Sequence, residues 1–230
     1  MPICLSMESN PIGVRLAGQH ARSQARALAS RMLVIGVAAL ATLAVASLAL
    51  GLGSWALVGV EAVVGGGLLV AERVVGPRFE HWLQGAQGEE RVGAVLAGLE
   101  ADGWVAIHDV SLGRGNVDHV LVGPGGIFAI ETKSHRGRIA VAGIEEWMLR
   151  QAYAERKLIE RVTGMEVEAL LVFSEAYLVG RVPARRLGVT VLPARMLAWY
   201  LSRRRPLISA ERAREVAERL AGAISAQGVG

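Results

Sequence analysis

The stretch GNVDHVLVGPGGIFAIETKSHRG, Gly115 to Gly137, decides how the rest of the chain is read. Two apolar runs, Val117–Val122 and Ile127–Lys133, flank Gly123-Pro124-Gly125-Gly126, a strong turn signal, and together they predict a β-hairpin. Counting outward from the turn sets Val122 opposite Ile127, Val120 opposite Ala129 and Asp118 opposite Glu131. Paired residues of an antiparallel ladder project from one face. Two carboxylates would then stand with Cβ atoms about 5 Å apart, where like charges destabilise a sheet. Lys133 lies two residues beyond Glu131 and shares its face. A slip of one residue would send Asp118 to the other side, so everything rests on this register.

Two readings of the three charges follow. Lys133 neutralises Glu131 at a salt-bridged strand end, or the carboxylates face a divalent cation, for which hard oxygen donors suit Mg²⁺ or Mn²⁺. Of 25 basic side chains 23 are Arg, and only Lys133 and Lys157 are Lys. A lysine kept at 133 points to a compact ammonium rather than a planar fork.

Around the hairpin, apolar Val92, Val95, Leu96 and Leu99 predict a helix over 86–101. At about 100° per residue Glu89 lies roughly 70° from the centre of that stripe and Glu90 roughly 170°, so Glu89 leans toward the sheet and Glu90 is solvated. Trp104–Val110 reads as a strand before the hairpin, Glu145–Val162 as a helix ended by Gly164, and Val167–Phe173 as a buried strand. Gly188–Leu192 adds a short strand, and Ala194–Leu201 and Ala210–Ile224 are helical in pattern. The expected fold is α/β, a mixed sheet flanked by helices.

The N-terminal part differs. No charge occurs from Met32 to Leu50, and after Gly51-Leu52-Gly53 a second apolar run, Ser54–Ala71, is broken only by Glu61. Each is near the roughly 20 residues that cross a bilayer, which predicts two transmembrane helices. Arg15, Arg22, Arg26 and Arg31 precede them and Arg73 and Arg78 follow, so a multi-pass membrane location with both ends cytoplasmic is expected. A lone cysteine, Cys4, excludes an intrachain disulfide framework. The net charge of +4 is too small to argue for nucleic acid by itself.

The series Gly88-Glu89, Gly115-Asn116-Val117-Asp118-His119, Gly123-Pro124, Gly126-Ile127-Phe128, Ile130-Glu131-Thr132-Lys133, Gly137 and Ile139 resembles the nuclease-related domain (NERD) family. That family is similar to the PD-(D/E)xK nucleases, and the resemblance covers about Gln87 to Leu201. It implies a restriction-endonuclease-like sheet in which Asp118 and Glu131 bind Mg²⁺ or Mn²⁺, with the Thr132 carbonyl as a further ligand. Glu89 would support them, Lys133 would position or activate the attacking water, and Gln151 would touch substrate. Val117 stands where the superfamily has its naming proline.

The expected organisation is a basic tail (1–31), a transmembrane hairpin (32–75), a linker (76–87), a nuclease-like domain (88–205) and a C-terminal helix (206–230). The expected function is metal-dependent hydrolysis of DNA or RNA beside a lipid bilayer. The alternative is a silent nuclease fold that binds nucleic acid or a protein partner there. His119 alternates away from Asp118 and reads as a core histidine; His108 and His135 lack zinc-like spacing. Arg136, Arg138, Arg150 and Arg156 read as a solvated face.

Overall fold

The computed structural model describes residues 34–42, 45–46, 54–112 and 115–227, together with positions 23, 27, 30 and 31. Two compact units are present, His20–Ala86 and one that includes Gln87–Gly230.

In the first unit the expected transmembrane hairpin is not supported. Among the described residues no helix is long and apolar enough to cross a membrane. Residues 34–42 are helical, whereas the ends of the first run and the Gly51-Leu52-Gly53 turn lie outside the described residues. So does the side chain of Glu61. The second run opens a 44-residue helix, α1 (Ser54–Ala97), which continues through Gly76 and Pro77 where a linker is expected. An interior proline removes one helical hydrogen bond and kinks the chain, but it does not have to end the helix.

The second unit is a mixed α/β layer structure. Strands β1 (Val105–Ser111), β2 (Asn116–Gly123), β3 (Gly126–Lys133), β5 (Val167–Phe173), β8 (Val189–Pro193) and β7 (Ala184–Arg186) form one six-stranded sheet in the order β1-β2-β3-β5-β8-β7. The first three pair antiparallel, while β3–β5 and β5–β8 are parallel. A parallel pair needs a crossover, and between β3 and β5 it is α2 (Glu146–Thr163). The short β4 (Arg138–Ala140) and β6 (Tyr177–Val179) make a separate two-stranded sheet. This arrangement fits a nuclease-like fold.

Alternation along β2 and β3 sends side chains to two cores. Val120, Val122, Ile127 and Ala129 pack with Ile159 of α2 and with Ala213, Val216 and Leu220 of the last helix. Leu121, Phe128 and Ile130 pack on the opposite face with Val92 and Leu96 of α1 and with Leu99 just after it. The central strands are therefore buried on both sides, which explains their near-continuous apolar sequence.

The hairpin register is the one counted from the turn: Val122 pairs with Ile127 and Val120 with Ala129. Gly126 closes the turn at φ 112, a conformation L side chains avoid. Gly123 is needed for a different reason, because a Cβ there would lie 2.2 Å from Cε3 of the buried Trp104 ring. Gly123→Ala should therefore cost about 1–3 kcal/mol by overpacking, read as a lower urea midpoint at unchanged slope; a wild-type midpoint would show that Trp104 moves aside freely.

Candidate active site

The main-chain pairing of β2 with β3 runs from the turn to His119 opposite Ile130 and then stops. One residue further, the side chain of Asp118 takes over: its Oδ2 accepts the N–H of Thr132 at 2.8 Å. The ladder on the other side of β2 is also interrupted here, with His108–His119 and Val110–Val117 paired and Asp109 between them at φ 52. Lys133 O accepts a hydrogen bond from Ser174 N, toward β5. Adjacent strand residues direct their main-chain groups to opposite edges, so the Thr132 carbonyl points to the Asp118 side with its N–H.

Glu131 is 3% exposed in the middle of the sheet. Its Oε1 accepts hydrogen bonds from Lys133 Nζ at 2.6 Å and from Gln151 Nε2 at 2.8 Å. Lys133 Nζ also donates to Gln151 Oε1 at 3.0 Å, and Gln151 Nε2 donates to Glu155 Oε1 at 2.9 Å. The Gln151 amide thus links Lys133 and the two glutamates within the cluster.

Glu155 is not among the residues expected from sequence, and neither is Trp147, whose ring lies 4.9 Å from Lys133 Nζ. The signal for both was present: positions 147, 151 and 155 are four apart and share one face of a helix. The parallel crossover lays that face over β3, with Trp147 at the exposed end and Glu155 at the buried one.

Glu89 arrives from the opposite layer. α1 meets the ends of β3 and β5 at Gly88, where a Cβ would lie 1.7 Å from Ser134 Oγ and 2.7 Å from Ser174 Oγ. No side chain larger than hydrogen permits this approach, and it brings Glu89 close enough for its charge to act on Asp118. Glu90, expected to be solvated, is half-buried like Glu89, so the helical angle alone does not separate the two.

The carboxylates of Glu131, Glu89 and Glu155 thus act together on Asp118, and Lys133 pairs with Glu131. Burial, followed by the negative charges of Glu131 and Glu89, holds the Asp118 carboxyl well above its ordinary range, against the downward pull of the Thr132 N–H. Burial and the adjacent Glu131 push Glu155 up to about 9. Glu131 Oε2 and Glu155 Oε2 are buried without a hydrogen-bond partner, and each such atom costs about 1–3 kcal/mol. Among the described residues no group of three His, Cys, Asp or Glu side chains is disposed as a ready metal cage. The donor chemistry nonetheless fits a hard cation: Asp118 and Glu131 are oxygen donors, and Glu131 keeps a free buried oxygen.

His119 is fully buried with its Nδ1 2.8 Å from that of His108, so one ring donates to the other. Arg136 pairs with Glu175 at 2.5 Å, Arg150 with Glu146 at 2.8 Å and Arg156 with Glu160 at 2.8 Å. Arg138 lies over Tyr177.

The Glu155 shift carries a pH signature. Between its ordinary value of 4.5 and about 9 the unfolded chain releases this proton and the folded chain keeps it, so folding weakens as pH rises through that window. Glu155→Gln, which cannot titrate, should gain stability relative to wild type progressively from pH 5 to pH 9 in EDTA. A difference in urea midpoint that stays constant over that range would mean Glu155 is ionised in the folded state.

No curated protein and no solved structure matches the chain. A family model does match, over a shorter span than the resemblance to Leu201 suggests: residues 84–174, which hold Glu89, Asp118, Glu131, Lys133, Trp147, Gln151 and Glu155, carry a nuclease-related domain (NERD).

Proposed function

We propose that this domain is a metal-dependent phosphodiesterase acting on nucleic acid, with Asp118, Glu131 and Lys133 as its working groups. One observation carries the reading: Lys133 Nζ is held at 2.6 Å from Glu131 and 3.0 Å from Gln151, beside an Asp118 whose carboxylate replaces a main-chain partner at the end of the ladder. An ammonium fixed to a buried carboxylate, at the point where two strands cease to pair, is poor surface chemistry and good hydrolytic chemistry.

Asp118 and Glu131 would hold Mg²⁺ or Mn²⁺, with the Thr132 carbonyl as a third oxygen. When bound, the cation would polarise the phosphate and lower the pKa of a coordinated water. The chain's own part is to orient. Lys133 presents N–H donors to the attacking water or the phosphate, Gln151 fixes the Lys133 stem, and Glu155 stores a proton under the site. Glu89 adds negative charge from the opposite layer.

The second reading, a nuclease fold that binds without cutting, is favoured by the closed Lys133–Glu131 ion pair and the lack of a ready cage among the described residues. Anchorage in a bilayer and a cytoplasmic location rest on the apolar runs and their flanking arginines alone and are no part of this proposal.

The full chain should cleave DNA or RNA with Mg²⁺ or Mn²⁺ and not in EDTA. Glu131→Ala should abolish the activity and Lys133→Ala lower it ~10²-fold or more, with no rescue by Lys133→Arg because a planar fork cannot replace a compact ammonium. Cleavage that survives Glu131→Ala would remove this site from the chemistry. Absence of cleavage, with nucleic acid still bound, would select the second reading.

A further inference from the structure

We propose that Trp147 is a stacking platform for an unpaired nucleobase, so that the substrate is single-stranded nucleic acid; the inference rests on the nuclease reading above and adds the class of substrate. Trp147 is the second residue of α2 and 51% exposed, an unusual position for a side chain with so much apolar area to bury. Its ring lies 4.9 Å from Lys133 Nζ. A phosphate drawn to that ammonium would carry its own nucleotide against the indole.

The way the ring is held says what it can recognise. Its single polar atom, Nε1, donates to Glu145 Oε2 at 2.6 Å. With that donor occupied and Lys133 over one face of the ring, the indole offers a partner its opposite π-face alone. Stacking on an aromatic face is indifferent to base identity and is worth about 1–3 kcal/mol per base in single-strand binders. In a duplex both faces of each base are already covered by neighbours, and exposing one costs unstacking and unpairing. A platform beside the reacting position therefore favours a strand with free bases.

Two other exposed rings, Trp199 and Tyr177, lack this placement. Trp199 lies over Arg203 at 5.0 Å, and Tyr177 lies between Arg138 and Arg195 at 5.2 and 5.4 Å. None of those arginines belongs to the carboxylate cluster. Trp147 alone among these rings touches a group of the candidate site.

A purely structural role, shielding Lys133 from water, makes a different prediction, and the choice of substitutions separates the two. Full-length Glu131→Gln protein, used so that binding is read without cutting, is titrated by fluorescence anisotropy against labelled single-stranded DNA, single-stranded RNA and a duplex of the same sequence. Single strands should bind more tightly than the duplex. Trp147→Ala and Trp147→Leu should each weaken single-strand binding about tenfold and leave duplex binding within about twofold, whereas Trp147→Phe should retain most of the affinity. Leucine still covers Lys133 but has no π-face, so wild-type affinity in the leucine variant would overturn the stacking role. Equal losses on single strand and duplex would overturn it as well, as would single-strand affinity unchanged in all three variants. If no nucleic acid of any kind binds before Trp147 is altered, the nuclease reading fails together with this one.

Discussion

A carboxylate in the middle of a six-stranded sheet, covered by a helix and left with one unpartnered oxygen, is the constraint around which this domain is arranged. Glu131 sits on β3, between an antiparallel and a parallel neighbour, and its burial would be prohibitive without compensation. Lys133 and Gln151 supply part of it through hydrogen bonds to a single oxygen, Oε1. The remaining charge load falls on Asp118 and Glu155, which are pushed toward their protonated forms by burial and by Glu131. Such a cluster is a stability cost kept at one spot, the pattern expected at a functional site.

The topology explains how the groups meet. The antiparallel hairpin supplies Asp118, Glu131 and Lys133 from two adjacent strands, and the parallel crossover returns α2 over β3, so that a stripe of three side chains lies along the same strand. α1 covers the opposite face and touches the strand ends at Gly88. The site thus draws on both layers, at the point where β2 and β3 cease to pair and the main chain of Thr132 has only a side chain to bond. Because the positioning groups stand on regular elements rather than on loops, Lys133 is fixed by packing and hydrogen bonding together.

How much of this was legible in the sequence follows from the range of the forces involved. The hairpin and its register were readable, because a Gly-Pro-Gly-Gly turn and alternating apolar residues are local signals that leave one pairing. The strand Val167–Phe173 was readable as a continuous apolar run. The strands β4, β6 and β7, three residues each, were not, since neither periodicity nor composition marks so short a piece. Glu155 and Trp147 went unseen because their importance comes from the crossover that sets α2 over β3. The departure of Asp118 from the ladder coincides with a positive φ at Asp109, which nothing in its sequence neighbours announces. Gly76-Pro77 misled in the opposite sense, as a local break signal that the long helix overrides.

We propose that Asp118 and Glu131 share a divalent cation, and a stability measurement reaches this without any substrate. A ligand that binds the folded state alone raises the unfolding midpoint in proportion to the logarithm of its concentration above Kd. Millimolar Mn²⁺ should therefore raise the thermal midpoint of the full chain relative to EDTA, and Asp118→Asn should abolish most of the rise. A wild-type midpoint indifferent to Mn²⁺, or an equal rise in Asp118→Asn, would contradict it.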